Sequence, residues 1–164
     1  MKAFISVSVN GDSERFVFGH TLSKKHFDVS SNGNWEKEFN FVVQRKIEWS
    51  HLFVGFITTN KEVQSVLNEW HYAQLKGVPN LLFVEDTVPI SEPLSGNVII
   101  FNRKKPQKAI NYIKQHMEMT LPSTTLKRED VIAWTLGGDA LIDILEWFEI
   151  NAKQEKQQRE AIAA

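Results

Sequence analysis

Glu69 is the acidic residue of this sequence whose position best suits chemistry. It lies in a segment where Val66, Leu67 and Trp70 form one apolar stripe at helical spacing. At about 100° per residue, Glu69 falls at the edge of that stripe, in line with Ser65. A carboxylate that is neither fully solvated nor fully buried can be held against a sugar hydroxyl, as the cleavage of a glycosidic bond requires. Spacing alone favours the simpler interpretation, in which Glu69 is a boundary residue of an ordinary amphipathic helix.

The topology of a parallel sheet indicates where other site residues would lie. Ligands bind beyond the carboxyl ends of the strands, where helix N-termini leave unpaired backbone donors. The sequence predicts four such segments, at 8–14, 30–35, 58–69 and 85–87. The third of these contains Glu69.

Five segments have the composition of β-strands, and helical patterns alternate with them. The clearest strand pattern is 51–58, a nearly continuous apolar run typical of a strand buried on both faces of a parallel sheet. The alternation implies right-handed crossovers and a sheet covered on both sides. We predict an α/β domain over residues 1–119, with strands at 3–9, 26–30, 51–58, 80–85 and 97–101 and helices at 13–24, 35–50, 63–76 and 106–117, the third helix being closed by Gly77 as its C-cap.

The alternation of strand and helix patterns ends after residue 119. Residues 120–150 contain a linker-like stretch, then Gly137 and Gly138, then Asp139 as the predicted N-cap of a helix. We predict that they form a helical appendage that packs on the domain or on a second copy of it. Residues 151–164 are largely polar, and we predict a frayed C-terminal tail.

The composition favours a single domain in a reducing compartment. The chain has 164 residues, a net charge of -1 and no cysteine. The balanced charge provides no field for nucleic acid or an anionic membrane, and no segment approaches the roughly 20 apolar residues needed to cross a bilayer. The five histidines are scattered, so no metal site is expected, and the basic residues 103–105 are interpreted as a solvated turn. We expect a cytoplasmic protein that binds neither nucleic acid nor membrane.

A pattern of spaced residues extends over roughly the first two thirds of the chain: Phe4, Ile5, Ser6, Val7, Ser8, Asp12, Ile47, Ser50, 53–58, Ser65, Glu69, Ala73, Gly77, Pro79 and Leu82. Together these residues resemble the Toll/interleukin-receptor (TIR) domains of microbes. The resemblance implies a flavodoxin-like three-layer fold and hydrolysis of the N-glycosidic bond of NAD or a related nucleotide, in signalling or defence. Glu69 falls where that family carries its catalytic glutamate, and NAD would be the substrate with no cofactor.

The resemblance also suggests which residues would line a nucleotide pocket. Phe16, Trp35 and Phe39 are all candidates for the aromatic ring that stacks on nicotinamide. We take Trp35 into the predicted substrate-binding set, whose members are Ser6, Ser8, Asp12, Glu14, Arg15, Trp35 and Ser65.

Two other functions are compatible with the same layout. The segment 69–79 is similar to one in nucleoside 2-deoxyribosyltransferases, where the corresponding glutamate attacks the sugar as a nucleophile. A TIR-type scaffold without turnover is the non-enzymatic alternative. The TIR resemblance further implies a homo-oligomer, assembled through the helices and the C-terminal appendage.

Overall fold

The protein is built on a five-stranded parallel sheet, seen in a computed structural model that describes residues 1–8, 11–31, 40–116 and 128–164. The strand order is β2-β1-β3-β4-β5, and every neighbouring pair is parallel. This arrangement confirms the predicted α/β class. The strands are β1 (Lys2–Ser8), β2 (Asp28–Ser31), β3 (Leu52–Ile57), β4 (Asn80–Glu85) and β5 (Val98–Phe101).

Five helices surround the sheet in the described part of the chain. Asn40 caps the second helix, where its side chain accepts a hydrogen bond from the backbone nitrogen of Val43. The prediction that this helix starts at Trp35 lies outside the described residues. The helices are α1 (Asp12–Lys24), α2 (Phe41–Glu48), α3 (Val63–Leu75), α4 (Gln107–His116) and α5 (Arg128–Ala163).

Two hydrophobic cores lie on opposite faces of the sheet. One core joins α1, α4 and α5 to the side chains of alternate strand residues, and the other joins α2 and α3 to the opposite face. All six residues of β3 are buried, as expected for a central strand covered on both faces. The fold is therefore the predicted flavodoxin-like three-layer arrangement, with a long C-terminal helix.

The C-terminal helix differs from the prediction in two respects. Gly137 and Gly138 do not interrupt it, and Asp139 lies inside the helix instead of capping it. A Cβ at Gly137 would overlap Leu52 of β3, so this glycine allows close packing of α5 on the sheet. Residues 151–163 continue the helix, with every side chain exposed from Lys153 onward, so the prediction of a frayed tail is wrong. No helix of the described residues combines the length and the apolar character needed to span a membrane.

Candidate functional site

The carboxyl ends of β1 and β3 meet at the point where the chain reverses its direction across the sheet. The chain passes from β1 to β2 on one side and then from β2 to β3 on the other, and ligands of such sheets bind at this reversal. Ser8, the last residue of β1, is 2% exposed, and its Oγ lies 3.1 Å from Thr59 Oγ1 and 3.2 Å from Thr59 O. Ser8 Oγ also donates to the carbonyl oxygen of Lys61. The hydroxyl of Ser8 is thus tied to the loop that leads into α3.

Glu69 is buried in the second turn of α3 and not at a solvated boundary. Its side chain is 2% exposed, so the predicted partial exposure is wrong. The indole nitrogen of Trp70 donates to Asn80 Oδ1 over 2.9 Å, and this bond fixes the rotation of α3 about its axis. Tyr72 and Lys76, which continue the line of Glu69 along the helix, both contact Glu48 of α2. Glu69 therefore lies on the side of α3 that faces α2.

Ser6 and Ser8 project from β1 toward the same side of the sheet. Side chains alternate along a strand, and Phe4 packs in the core formed with α2 and α3. Ser6 is 3% exposed and pairs in register with Gly55 of β3. A Cβ at Gly55 would lie 2.8 Å from Leu82 Cδ1, so the glycine leaves room for the packing of this layer. The fold consequently places Ser6, Ser8, Ser65 and Glu69 in one layer, with Ser65 half-buried.

Three other predicted site residues, Asp12, Glu14 and Arg15, are not brought to this layer. Asp12 and Arg15 are exposed in the first turn of α1, which packs on the opposite face of the sheet. Glu14 is buried there, in an ion pair. Phe16 is 69% exposed on the outer side of α1, where it stacks on His20. The predicted stacking residues Trp35 and Phe39 lie outside the described residues.

Arg103 is the residue that the sequence interpretation missed. It forms a bidentate ion pair with Glu85, at 2.6 Å from Nε to Oε1 and 2.8 Å from Nη2 to Oε2. Its Nη1 donates to Glu14 Oε1 over 3.0 Å, and the two carboxylates raise the pKa of Arg103 above its ordinary value, the hydrogen bonds to Glu85 being the main cause. The interpretation of 103–105 as a solvated turn is therefore wrong for Arg103. Glu85 ends β4 and Arg103 follows β5, so the parallel topology was the signal for their meeting.

A second polar cluster fastens α2 to α3 beside Glu69. The hydrogen bond from the Tyr72 hydroxyl, with help from Lys76 and Arg45, holds the pKa of Glu48 below its ordinary value. The same bond raises the pKa of Tyr72. Lys76 Nζ lies 3.7 Å from Glu48 Oε1, which adds a weak ion pair. These contacts hold α2 against the side of α3 that carries Glu69.

A cavity of about 380 Å³ lies at a different edge of the sheet. It is bordered by β5 and α4, with Lys105, Lys108 and Tyr112 on its helical side. Its helical wall is α4, which packs on the face of the sheet opposite to α3 and Glu69. Within the described ranges, no group of three or more His, Cys, Asp or Glu side chains is arranged to hold a metal ion.

Comparison with known proteins adds no family assignment. No protein-family model, curated protein sequence or solved structure matches this chain. The chemistry of the site is therefore inferred from its side chains alone. They provide one buried carboxyl group and several hydroxyl groups in a single layer beside the chain reversal.

Proposed function

We propose that the protein hydrolyses the N-glycosidic bond of NAD or a related nucleotide, with Glu69 as the catalytic carboxylate. The observation that carries the proposal is the burial of Glu69, 2% exposed, in the layer that also holds Ser6 and Ser8. A carboxyl group held in a buried layer that also contains hydroxyl groups, beside the ligand-binding end of a parallel sheet, is a candidate functional residue. Parallel sheets bind ligands at the chain reversal next to this layer.

The reaction needs a group that stabilises positive charge on a ribose. The bond between ribose C1′ and the pyridinium nitrogen breaks, and its electron pair stays with nicotinamide. The carboxylate of Glu69 stabilises the cationic sugar, while the oxygen of a water molecule forms the new bond to C1′ and releases a proton. The products are nicotinamide, ADP-ribose and one proton.

The serines of the layer would orient the sugar for this step. The hydroxyls of Ser6, Ser8 and Ser65 can donate or accept hydrogen bonds, as recognition of ribose hydroxyls requires. A ribose held against a fixed carboxylate reacts faster because its orientation is set before the chemical step. Ser8 is already anchored by Thr59 and Lys61, so its position is defined before a ligand binds.

The test compares purified wild-type protein with Glu69→Gln and Glu69→Ala, incubated with NAD and separately with deoxynucleosides. Free nicotinamide and free base are measured by liquid chromatography at several protein concentrations, because assembly can complete a site. Glu146→Gln is the matched control, since Glu146 is an exposed glutamate on α5. Thermal unfolding of each variant shows whether it is folded.

We expect nicotinamide release by wild type and Glu146→Gln, and a loss of about a hundredfold or more in folded Glu69→Gln. Release that survives both substitutions of Glu69 would remove this residue from the mechanism. Release of base from deoxynucleosides alone would favour deoxyribosyl transfer or hydrolysis. No release from any substrate at any concentration would favour a scaffold.

A further inference from the structure

Arg103 connects three parts of the molecule near the proposed site. It binds Glu85 at the end of β4, Glu14 in the first turn of α1, and the ring of Phe148 in α5, which lies 4.9 Å from its Cζ. Glu14 and Glu85 are 7% and 5% exposed. Two buried carboxylates at one end of a sheet repel each other unless a cation lies between them, and Arg103 is that cation.

The same network extends to the carboxyl ends of the two central strands. The second oxygen of Glu14 lies 3.1 Å from Thr58 Oγ1, and this hydroxyl also lies 3.2 Å from the carbonyl oxygen of Ser8. The backbone nitrogen of Thr58 donates to that same carbonyl over 2.8 Å. A chain of polar contacts therefore runs from Arg103 through Glu14 and Thr58 to the backbone of Ser8.

We propose that Arg103 is a positioning residue for the site around Glu69. By holding Glu14 against Thr58, it fixes the end of β1, from which the hydroxyl of Ser8 reaches the proposed ribose site. The inference rests on the proposed function for its role in turnover. The link from Arg103 to Ser8 is independent of turnover: Glu14 Oε2 and the carbonyl oxygen of Ser8 share the one hydroxyl proton of Thr58, and the backbone nitrogen of Thr58 donates separately to that carbonyl.

The geometry of the guanidinium group explains why arginine is required here. Its rigid fork directs two donors at Glu85 and a third at Glu14, whereas a lysine ammonium cannot reproduce this planar arrangement. Lysine would keep the neutralising charge, so the protein should fold. It would leave Glu14 less firmly held, and the loosened contact would reach Ser8.

The test uses Arg103→Lys in the full chain, with Arg159→Lys as the matched control. Arg159 is exposed near the end of α5. Its substitution by lysine also replaces a guanidinium group with an ammonium group, but away from the contacts of Arg103. We expect folded Arg103→Lys to show KM for NAD raised about tenfold, since a small misplacement of an orienting group has large effects. Arg159→Lys should match wild type. A KM equal to that of wild type, with kcat reduced only in proportion to the unfolded fraction, would overturn the proposal.

A second measurement separates failure of this inference from failure of the proposed function. Amide hydrogen exchange of Thr58 reports directly on its hydrogen bond to Ser8. We expect this exchange to be at least about tenfold faster in Arg103→Lys, while the amide of Phe53, bonded to Pro79 at the other end of β3, stays unchanged. If wild type lacks turnover but the Thr58 amide responds, the function fails and the link to Ser8 survives. An unchanged Thr58 amide in the folded variant would overturn the inference whatever the activity.

Discussion

The hydrogen bond between Tyr72 and Glu48 joins α3 to α2, three residues along the helix from Glu69. Tyr72→Phe removes the hydroxyl that chiefly lowers the pKa of Glu48, so the pKa of this carboxyl should rise toward its ordinary value of 4.5. Carboxyl NMR titration of Glu48 measures the change. Lys76→Met is the control, because the charge of Lys76 is a smaller cause and should give a smaller rise.

The same bond predicts how stability depends on pH. A carboxyl whose pKa is lowered by folding stabilises the protein above its unfolded value of 4.5, and this contribution is lost as pH falls through the folded pKa. The stability difference between wild type and Tyr72→Phe should therefore shrink in acid. Chemical unfolding at neutral pH and in acid below the folded pKa measures it, and a difference that grows as the pH falls would contradict this assignment.

At the residue scale, the sequence predicted which acidic residue to examine but not its surroundings. Helical spacing located Glu69 beside the apolar stripe of α3. Its burial is set by the packing of α3 in the fold, and spacing within one helix carries no information about the elements that pack on it. Arg103 was misassigned for a related reason, because its partners Glu14 and Glu85 are distant in sequence.

At the element scale, the surroundings of two helical glycines predict that substitution by alanine will have opposite effects on stability. Gly137→Ala would place a methyl group against Leu52, which is fully buried, so it should destabilise the protein by about 1–3 kcal/mol. Gly19→Ala in α1 has no neighbouring atom within 4 Å and should stabilise it by about 0.5–1 kcal/mol. Urea denaturation of both variants measures the pair. Stabilisation by both alanines would show that α5 does not pack closely on β3.

The elements themselves were largely predictable because their signals are local. Apolar runs such as 52–57 and 80–85 identify buried strands, and turn residues between them limit each strand. The continuity of α5 was not predictable, since two adjacent glycines disfavour a helix. Packing of Gly137 on the sheet overrides that local preference.

At the scale of the whole molecule, the long C-terminal helix has two parts with different roles. The buried residues of its first part, from Ala133 to Phe148, pack in the core shared with α1 and α4, whereas residues 153–163 are exposed. Removal of residues 152–164 should change the free energy of unfolding by less than about 0.5 kcal/mol, with a loss of helical circular dichroism. Phe148→Ala should cost about 3–5 kcal/mol.

Chemical unfolding of these two proteins side by side provides the comparison. A large loss of stability in the truncated chain would mean that the extension contacts the body of the protein. An unaffected Phe148→Ala would mean that α5 is not part of the core.

The proposed mechanism requires that the ribose of a bound nucleotide contact the side chain of residue 69. A crystal structure of Glu69→Gln soaked with NAD measures this directly, because the substitution preserves shape while it slows turnover. We predict the nicotinamide ribose within about 3.5 Å of the substituted side chain, on the side of the sheet that carries Ser6 and Ser8. NAD bound only elsewhere, such as in the cavity beside Lys105 and Lys108, would contradict the mechanism.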